Sequence, residues 1–293
     1  MIDFLLPSPI QTINYMGFQI HIKRDDLIHD EVSGNKLRKM LGNVYQMHNL
    51  DFDKVITFGG AHSNHIYALA AYGFYFKLQT VGIIRGDELN ENATPTLKFA
   101  AKMGMKLIFW SRSDYKLKDT VPKLIEIKQA FPHHFILPEG GTNTFSVEGS
   151  AEILDEILDN FPLKPNYICT AVGTGGTLLG LVANTRYRKK IIGFSALKNP
   201  IQLKEYIQKR YLKNDLDARL ELTDEFCFGG YAKMTTELQD FIYFFESKYH
   251  IPLDDVYVSK MMFGIFKKIE RGDFKPKDVI FAIHTGGLQG KKL

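Results

Sequence analysis

The sequence has few cysteines, no long apolar run and no strong excess of charge of one sign. Only two of its 293 residues are cysteine, Cys169 and Cys227, and they form no C-x-x-C pair. A disulfide framework and a cysteine zinc site are therefore not expected. No apolar run approaches the ~18 residues of a membrane-spanning helix. The N-terminus lacks a basic region and meets Pro7 early, so we predict no signal peptide.

Charge and composition narrow the class of protein further. Lysine and arginine number 37 against 33 aspartates and glutamates, which gives a formal net charge of +4. This excess is too small and too evenly spread to predict a nucleic-acid or membrane-surface partner. With 45% hydrophobic and 24% charged residues, the composition is that of an ordinary globular protein. We therefore predict a soluble cytoplasmic protein.

After an irregular lead at residues 1–17, short apolar strands alternate with helical segments along the chain. Strands are predicted at 18–23, 55–58, 80–84, 106–110, 134–137, 167–172, 190–197 and 278–284. Helices are predicted at 35–50, 64–75, 94–103, 118–130, 147–160, 177–187, 201–213, 235–249 and 259–270. This alternation predicts an α/β fold with mostly parallel sheets.

Neither repeats nor low-complexity linkers mark domain boundaries. The short βα units between about residues 51 and 140 favour a smaller α/β domain at 48–145, with a larger one made of 1–47 and 146–293. In open α/β sheets, ligands lie beyond the carboxyl ends of the strands. Glycine-rich polar stretches follow several predicted strands, at 59–65, 140–144, 173–177 and 284–290.

The stretch at residues 33–39, Ser-Gly-Asn-Lys-Leu-Arg-Lys, opens a segment with helical spacing. Lys36 follows a Gly-Asn turn at the start of this helix, with Arg38 and Lys39 as neighbouring cations. Desolvation and nearby cations activate a lysine amine, which can then form a Schiff base with a carbonyl cofactor. A solvated basic helix start is the alternative, because so short a motif also occurs by chance.

A glycine-rich loop lies between a strand of buried type and a helix, and consists of Gly173, Thr174, Gly175, Gly176 and Thr177. Backbone N–H groups and a helix N-terminus form an anion site, with phosphate as its natural guest. A dinucleotide fingerprint would need glycine where the sequence has Leu178, and no Walker Gly-Lys-Ser/Thr follows. The phosphate of a small cofactor is the preferred interpretation, and a structural tight turn is the alternative.

A second strand-to-helix junction carries Ser63, Asn64 and His65. Ser63 can cap the following helix, or its hydroxyl can bind a substrate carboxylate together with nearby N–H groups. His62 and His65 stand three positions apart, but they have no carboxylate or cysteine nearby, so we predict no metal site.

Two further features leave alternatives open. Tyr231 and Tyr257 are two of 14 tyrosines, and each suits a core or interface ring as well as a site. Ser33-x-x-Lys36 and the Thr-Gly after His284 superficially match the S-x-x-K and K-T-G elements of serine acyl-enzymes. The middle S-x-N element is missing, and the βαβ alternation does not suit that architecture.

Taken in order, these motifs resemble one family. The stretch 33–39, Ser63-Asn64-His65, the loop 173–177, Tyr231, Val256-Tyr257-x-x-Lys260 and His284-x-Gly286-Gly287 follow the order of the D-cysteine desulfhydrase/1-aminocyclopropane-1-carboxylate (ACC) deaminase family. These are pyridoxal-phosphate (PLP) enzymes, commonly homodimers, with the tryptophan-synthase-β-like fold. The resemblance implies PLP fold type II, which has two α/β domains with open, twisted, mostly parallel sheets and helices on both faces.

The resemblance implies roles toward the cofactor. Lys36 would hold PLP as a Schiff base and shuttle the Cα proton of the substrate. Lys39 and the backbone of the loop 173–177 would hold the phosphate. Asn64 would contact the phenolic oxygen, and Thr285 is also expected at the cofactor.

The resemblance also implies roles toward a small amino-acid substrate. Ser63 would bind the substrate carboxylate, or act as a nucleophile or proton relay. Tyr231 and Tyr257 would face the substrate as acid/base or positioning groups. Asn64 and His65 complete the predicted substrate-binding set.

Two departures bear on the substrate. ACC deaminases of the family carry Glu directly after the second tyrosine and Leu before the terminal Gly-Gly, where this chain has Val258 and Thr285. Thr285 favours a desulfhydrase, whereas Val258 matches neither activity and cannot hydrogen-bond the pyridine nitrogen. We predict a lyase that converts D-cysteine to pyruvate, ammonia and sulfide. The alternatives are an ACC deaminase that forms 2-oxobutyrate and ammonia, or a non-catalytic PLP-binding or metabolite-binding relative.

Overall fold

A computed structural model describes residues 3–211 and 219–291. The strands are β1 (Ile10–Tyr15), β2 (Phe18–Arg24), β3 (Lys54–Gly59), β4 (Gln79–Arg85), β5 (Lys106–Trp110), β6 (Phe135–Leu137), β7 (Tyr167–Val172), β8 (Lys190–Ser195), β9 (Leu220–Thr223) and β10 (Ile280–His284). The helices are α1 (Gly34–Asn49), α2 (Asn64–Phe76), α3 (Pro95–Lys102), α4 (Arg112–Lys116), α5 (Val121–Ala130), α6 (Thr144–Asn160), α7 (Gly176–Ala183), α8 (Ile201–Tyr211), α9 (Thr236–Tyr249) and α10 (Val258–Glu270). None of the helices in these ranges is both long and apolar enough to span a bilayer.

The described chain divides into two compact units. The first runs from Lys36 to Gly149, and the second joins Asp3–Asn35 to the chain from Ser150 onward. The predicted smaller domain, residues 48–145, lies within the first unit, which reaches further at both ends. There, α1 and the start of α6 pack backbone to backbone, since a Cβ added at Gly42 would lie 2.1 Å from the Phe145 carbonyl oxygen.

The first unit is built on a four-stranded parallel sheet in the order β5-β4-β3-β6. On one face of this sheet, Ile56 and Phe58 of β3 pack in a cluster with Ile127 of α5. Thr57 lies between them and points to the opposite face, where it meets His65 of α2. This alternation is the ordinary two-residue period of a strand, and it leaves helices on both faces.

The second unit is built on a six-stranded sheet in the order β1-β2-β10-β7-β8-β9. Among the described strands, β1 is the antiparallel one, and the remaining pairs of this sheet are parallel. An apolar core forms between strands of this sheet and helices α9 and α10. The mostly parallel α/β architecture predicted from the sequence is confirmed.

The prediction was wrong for two strands. Residues 10–15 were expected to be irregular but form β1, which pairs with β2 through a tight turn at Met16 and Gly17. Both turn residues have positive φ, 46° and 82°, as a two-residue type I′ hairpin requires. The sequence Met-Gly lacks the Asn-Gly signal that is typical of such a turn, so this hairpin was not predicted. The second strand that the prediction missed is the short strand β9.

Several helix boundaries also differ from the prediction. The helix expected from residue 118 begins at Val121, and the one expected to reach residue 187 ends at Ala183. The helix predicted at 201–213 is described to Tyr211, and its last two residues lie outside the described ranges. Boundaries shift in this way because local pattern does not report where tertiary packing ends a helix.

Candidate active site

The Gly-Asn pair before Lys36 is held tightly against the end of β10. Gly34 has a φ of 65°, and a Cβ added there would lie 2.0 Å from the carbonyl oxygen of Thr285. The backbone N–H of Asn35 donates to that same oxygen at 3.2 Å, and its side-chain amide donates to Thr177 Oγ1 at 2.8 Å. A glycine is therefore required at position 34, and Lys36 follows a residue anchored at two points.

The glycine-rich loop starts α7 in the second unit. Gly175 is the N-cap of α7 with a φ of 87°, a left-handed conformation that favours glycine. A Cβ added at Gly173 would lie 2.9 Å from Cε1 of Tyr257, and one at Gly175 would lie 2.5 Å from Leu203 Cδ1. Glycine at positions 173 and 175 thus leaves the backbone without side chains there, at a helix N-terminus where N–H groups attract anions.

Lys39 is a buried lysine in the first unit. Its side chain is only 2% exposed, and Nζ donates to the Gly140 carbonyl oxygen at 3.1 Å and to Thr142 Oγ1 at 3.0 Å. Neither acceptor carries a formal charge. Burial and the positive charge of Lys36 hold the pKa of Lys39 well below its usual value. An anion such as a phosphate would stabilise this ammonium, so the donor set fits a phosphorylated cofactor.

The junction between β3 and α2 places Ser63 and Asn64 at a helix start. Ser63 is the N-cap of α2, and its Oγ accepts the N–H of Ile66 at 3.3 Å. Asn64 is the first residue of the helix. The capping interpretation of Ser63 therefore holds in the structure, and its role toward a substrate stays a prediction.

His65 lies in the interior of the first unit and is 2% exposed. The Thr57 hydroxyl donates to the Leu137 carbonyl oxygen at 2.8 Å, so it accepts from His65 Nε2, which lies 2.9 Å away. Burial, and then the charges of Lys36 and Lys39, lower the pKa of His65 to about 3. The imidazole is therefore neutral, with its proton on Nε2, and these contacts tie it to the strands rather than to solvent.

No metal cluster accompanies this histidine. Across residues 3–211 and 219–291, no group of three or more His, Cys, Asp or Glu side chains is arranged to hold a metal ion.

Tyr257 and Tyr231 meet in the second unit, with ring centroids 6.1 Å apart in an edge-to-face arrangement. Tyr257 stands directly before α10, where the buried Asp254 carboxylate accepts the N–H groups of Val256, Tyr257 and Val258 at 2.6–2.9 Å. Burial raises the pKa of Asp254, against these three hydrogen bonds. Tyr231 is 54% exposed. The helix start thus holds one tyrosine firmly, while the other lies at the surface of its unit.

Val258, which the resemblance aligns with the residue at the pyridine nitrogen, is fully buried in the apolar core of the second unit. Thr285 is also buried, and its carbonyl oxygen is the one that receives Asn35. Val258 is therefore held by apolar packing, and Thr285 accepts a hydrogen bond through its backbone carbonyl oxygen.

Sequence reasoning missed three residues that hold this framework. Thr142 accepts a hydrogen bond from Lys39, and Asn35 donates one to Thr177 in the glycine-rich loop. The Asp254 carboxylate caps the start of α10. Thr142 belongs to the glycine-rich stretch at residues 140–144, which follows a predicted strand. An aspartate just before a helix is a known capping signal, and it could have indicated Asp254.

Features of each unit point to a class of protein. The first unit carries Lys36 and the buried Lys39, and the second carries a glycine-rich loop at a helix N-terminus. Each of these features suits an enzyme that holds a phosphorylated carbonyl cofactor. The family profile described as "Pyridoxal-phosphate dependent enzyme" matches residues 3–286, and the chain belongs to this family.

Known proteins agree with this assignment. An Arabidopsis thaliana protein named "Bifunctional D-cysteine desulfhydrase/1-aminocyclopropane-1-carboxylate deaminase, mitochondrial" is 28% identical over 97% of this chain and 77% of its own. The crystal structure of an ACC deaminase homologue has a TM-score of 0.83 at 25% identity and covers 98% of this chain and 92% of that one. A hydrogen sulfide-producing enzyme from Fusobacterium nucleatum shares the fold, with a TM-score of 0.66 at 15% identity over 96% and 95% of the two chains.

These comparisons confirm the predicted family resemblance and the type II fold. They also confirm that the chain is an enzyme and that PLP is its cofactor.

Proposed function

We propose that this PLP-dependent enzyme is a lyase that converts D-cysteine and water to pyruvate, ammonia and hydrogen sulfide. The observation that carries the proposal is the placement of Lys36. It directly follows a residue anchored to both Thr285 and Thr177, and its charge adds to the effect of burial in lowering the pKa of Lys39. A lysine amine with a cationic neighbour is suited to attack a carbonyl cofactor.

PLP, when bound, would supply an electron sink for the bond that breaks at the substrate Cα. The Lys36 amine would hold the cofactor and move the Cα proton. Lys39 and the backbone N–H groups of the loop 173–177 would hold its phosphate. Asn64 and Thr285 complete the proposed cofactor-binding set.

Toward the substrate, Ser63 would bind the carboxylate or relay a proton, with Asn64 and His65 beside it in the α2 helix start. Tyr257 and Tyr231 would donate a proton to the departing thiolate or position it. Since the His65 ring is neutral and tied to Thr57, its contribution would be to orient this helix start rather than to carry charge.

ACC deamination is the second candidate function. The name of the Arabidopsis relative combines both activities, and the ACC deaminase homologue shares the fold over 98% of this chain. Val258 and Thr285 weigh against it, because neither is the residue that the family's ACC deaminases carry. A homodimer and a cytoplasmic location accompany the proposal as predictions from the sequence.

A substrate panel tests the proposal. Protein reconstituted with PLP is given D-cysteine, L-cysteine and ACC, and release of sulfide, pyruvate and 2-oxobutyrate is measured. We expect the highest kcat/KM for D-cysteine, with sulfide and pyruvate released in equal amounts. Faster turnover of ACC would select the second candidate, and a protein that takes up no PLP would overturn both.

Ser63 can be tested against a matched helix cap. We expect Ser63→Ala to keep bound PLP but to lose most of its turnover, while stability falls by about 1 kcal/mol from the lost cap. Thr235 caps α9 through the same hydrogen bond, with Oγ1 3.3 Å from the N–H of Leu238, so Thr235→Ala controls for capping alone. Equal turnover in the two variants would reduce Ser63 to a cap.

A further inference from the structure

The turn that carries Tyr231 has an unusual backbone. Phe228, Gly229 and Gly230 have φ angles of 52°, 92° and 121°, and Ala232 follows with 53°. For the residues other than glycine, left-handed conformations cost conformational energy and persist only where surrounding contacts impose them. The turn at residues 227–230 is closed by a hydrogen bond from the Gly230 N–H to the Cys227 carbonyl oxygen at 3.0 Å, and a partner outside the turn would hold it more firmly.

That partner is Lys260. Its side chain is 1% exposed, and its Nζ donates to the carbonyl oxygens of Cys227 at 2.8 Å and Gly230 at 2.7 Å. Lys260 lies on α10, three residues after Tyr257. One buried ammonium thus joins the turn before Tyr231 to the helix that follows Tyr257.

Two carbonyl acceptors and a nearby carboxylate offset part of the cost of burying the Lys260 ammonium. Burial lowers the pKa of Lys260, and the charge of the Asp254 carboxylate acts in the opposite direction. Backbone carbonyl oxygens are also the ligands that bind monovalent cations in proteins. Lys260 thus places a tethered cation between the two carbonyl oxygens.

We propose that Lys260 is a positioning residue, which holds the turn at 227–230 to α10 and thereby sets Tyr231 against Tyr257. The importance of this geometry for turnover rests on the proposed function, in which both tyrosines face the substrate. The geometry itself is independent of which substrate is used.

The first test observes the two rings without turnover. The PLP-loaded enzyme is labelled with 3-fluorotyrosine, and the ¹⁹F resonances of Tyr231 and Tyr257 are assigned with the corresponding phenylalanine variants. In Lys260→Met, we expect both resonances to shift or broaden while most other tyrosine resonances stay in place. Lys268→Met is the matched control, since Lys268 lies on the same helix but pairs with Glu221 and Asp273. A folded Lys260→Met protein with both resonances unmoved would overturn the proposal.

The second test restores the cation. Lys260→Ala leaves room beside the two carbonyl oxygens, and we expect methylammonium or ammonium chloride to return the Tyr231 and Tyr257 resonances toward their wild-type positions. Sodium chloride at equal ionic strength controls for screening. A Lys260→Ala protein that folds only with ammonium present would also support the proposal. One that stays unfolded, or whose resonances do not respond to ammonium, would count against it.

Kinetics separate this proposal from the proposed function. Misplacement of a site group by about 1 Å can cost ~10²-fold in rate, so we expect kcat of Lys260→Met to fall by ~10–100-fold with PLP affinity unchanged, and Lys260→Arg to recover part of the loss. If no panel substrate turns over but the resonances move, the positioning role stands and the proposed substrate fails. If D-cysteine turns over but the resonances do not move, the positioning role fails alone.

Discussion

Two buried lysines, one in each unit, differ in the charge that lies near the ammonium group. Lys39 and Lys260 are 2% and 1% exposed, each donates to two neutral oxygen atoms, and burial lowers the pKa of both. The charge that acts on Lys39 is the like charge of Lys36. The carboxylate that acts on Lys260 is Asp254, of opposite sign.

This difference is the one expected between a proposed binding group and a structural one. Burial disfavours the ammonium of Lys260, but the Asp254 carboxylate opposes this effect and two backbone carbonyl oxygens accept its hydrogen bonds, so it holds a turn. The ammonium of Lys39 is destabilised by a second cation, so it gains most from a bound anion. The four experiments that follow sharpen or break this comparison.

Removal of Lys36 has the largest expected effect. Lys36→Ala deletes the amine proposed to hold the cofactor, and we expect turnover to fall by ~10³-fold or more with loss of visible absorbance from a protein-bound Schiff base. Spectra and kcat are compared with those of Lys98→Ala, which changes an exposed lysine of α3 in the same unit. Retained absorbance in Lys36→Ala would assign the attachment to another lysine.

The neutral His65 should make stability depend on pH. Its folded pKa of about 3 lies below the ordinary value of 6.5, so the unfolded chain binds the proton first. Stability from this group is complete above pH 6.5 and is lost as the pH falls toward 3. Between pH 7 and pH 4 we expect a loss of about 3 kcal/mol from His65.

Urea unfolding of the wild type and His65→Asn across this range measures the contribution. The variant should show a shallower dependence of the unfolding free energy on pH, whereas His133→Asn, at an exposed position, should follow the wild type. Parallel curves for wild type and His65→Asn would show that folding does not lower the pKa of this imidazole.

A smaller effect is expected for the affinity of the cofactor. Lys39→Met removes a charged hydrogen-bond donor worth about 1.5–3 kcal/mol, so we expect PLP to bind ~10–100-fold more weakly. Lys260→Met should bind PLP as tightly as the wild type does, because the Lys260 ammonium binds the carbonyl oxygens of the turn at 227–230. Fluorescence titration of both apoproteins with PLP makes the comparison directly. Equal losses in the two variants would show that the lysines do not differ in kind.

The smallest effect is expected at the glycine-rich loop. Thr177→Val removes the acceptor for the Asn35 amide, and we expect unfolding free energy to fall by about 1 kcal/mol. Thr177→Ser keeps the hydroxyl and serves as the matched control. If Thr177→Val and Thr177→Ser are equally stable by urea unfolding, the bridge from Asn35 contributes little to holding Lys36.

Local features of the site were predictable because they lie within a few consecutive residues. Strands β5 and β7 fall at the residues predicted, and the glycine-rich loop starts a helix as its spacing indicates. The turn between β1 and β2 was not predicted, because Met16 adopts a positive φ and a methionine in the sequence does not indicate that conformation. The role of Lys260 was not predicted, because its hydrogen-bond partners lie about 30 residues away in the chain.

Contiguous residues were enough to specify the βα alternation, the Gly-Asn turn before Lys36 and the order of the site motifs. Periodicity and backbone freedom are properties of short segments, so they can be read without a fold. The burial of Lys39 and Lys260, the neutral state of His65 and the pairing of Tyr231 with Tyr257 came only from the assembled chain. Desolvation and electric fields act through space, and they depend on residues that the fold brings together from distant positions.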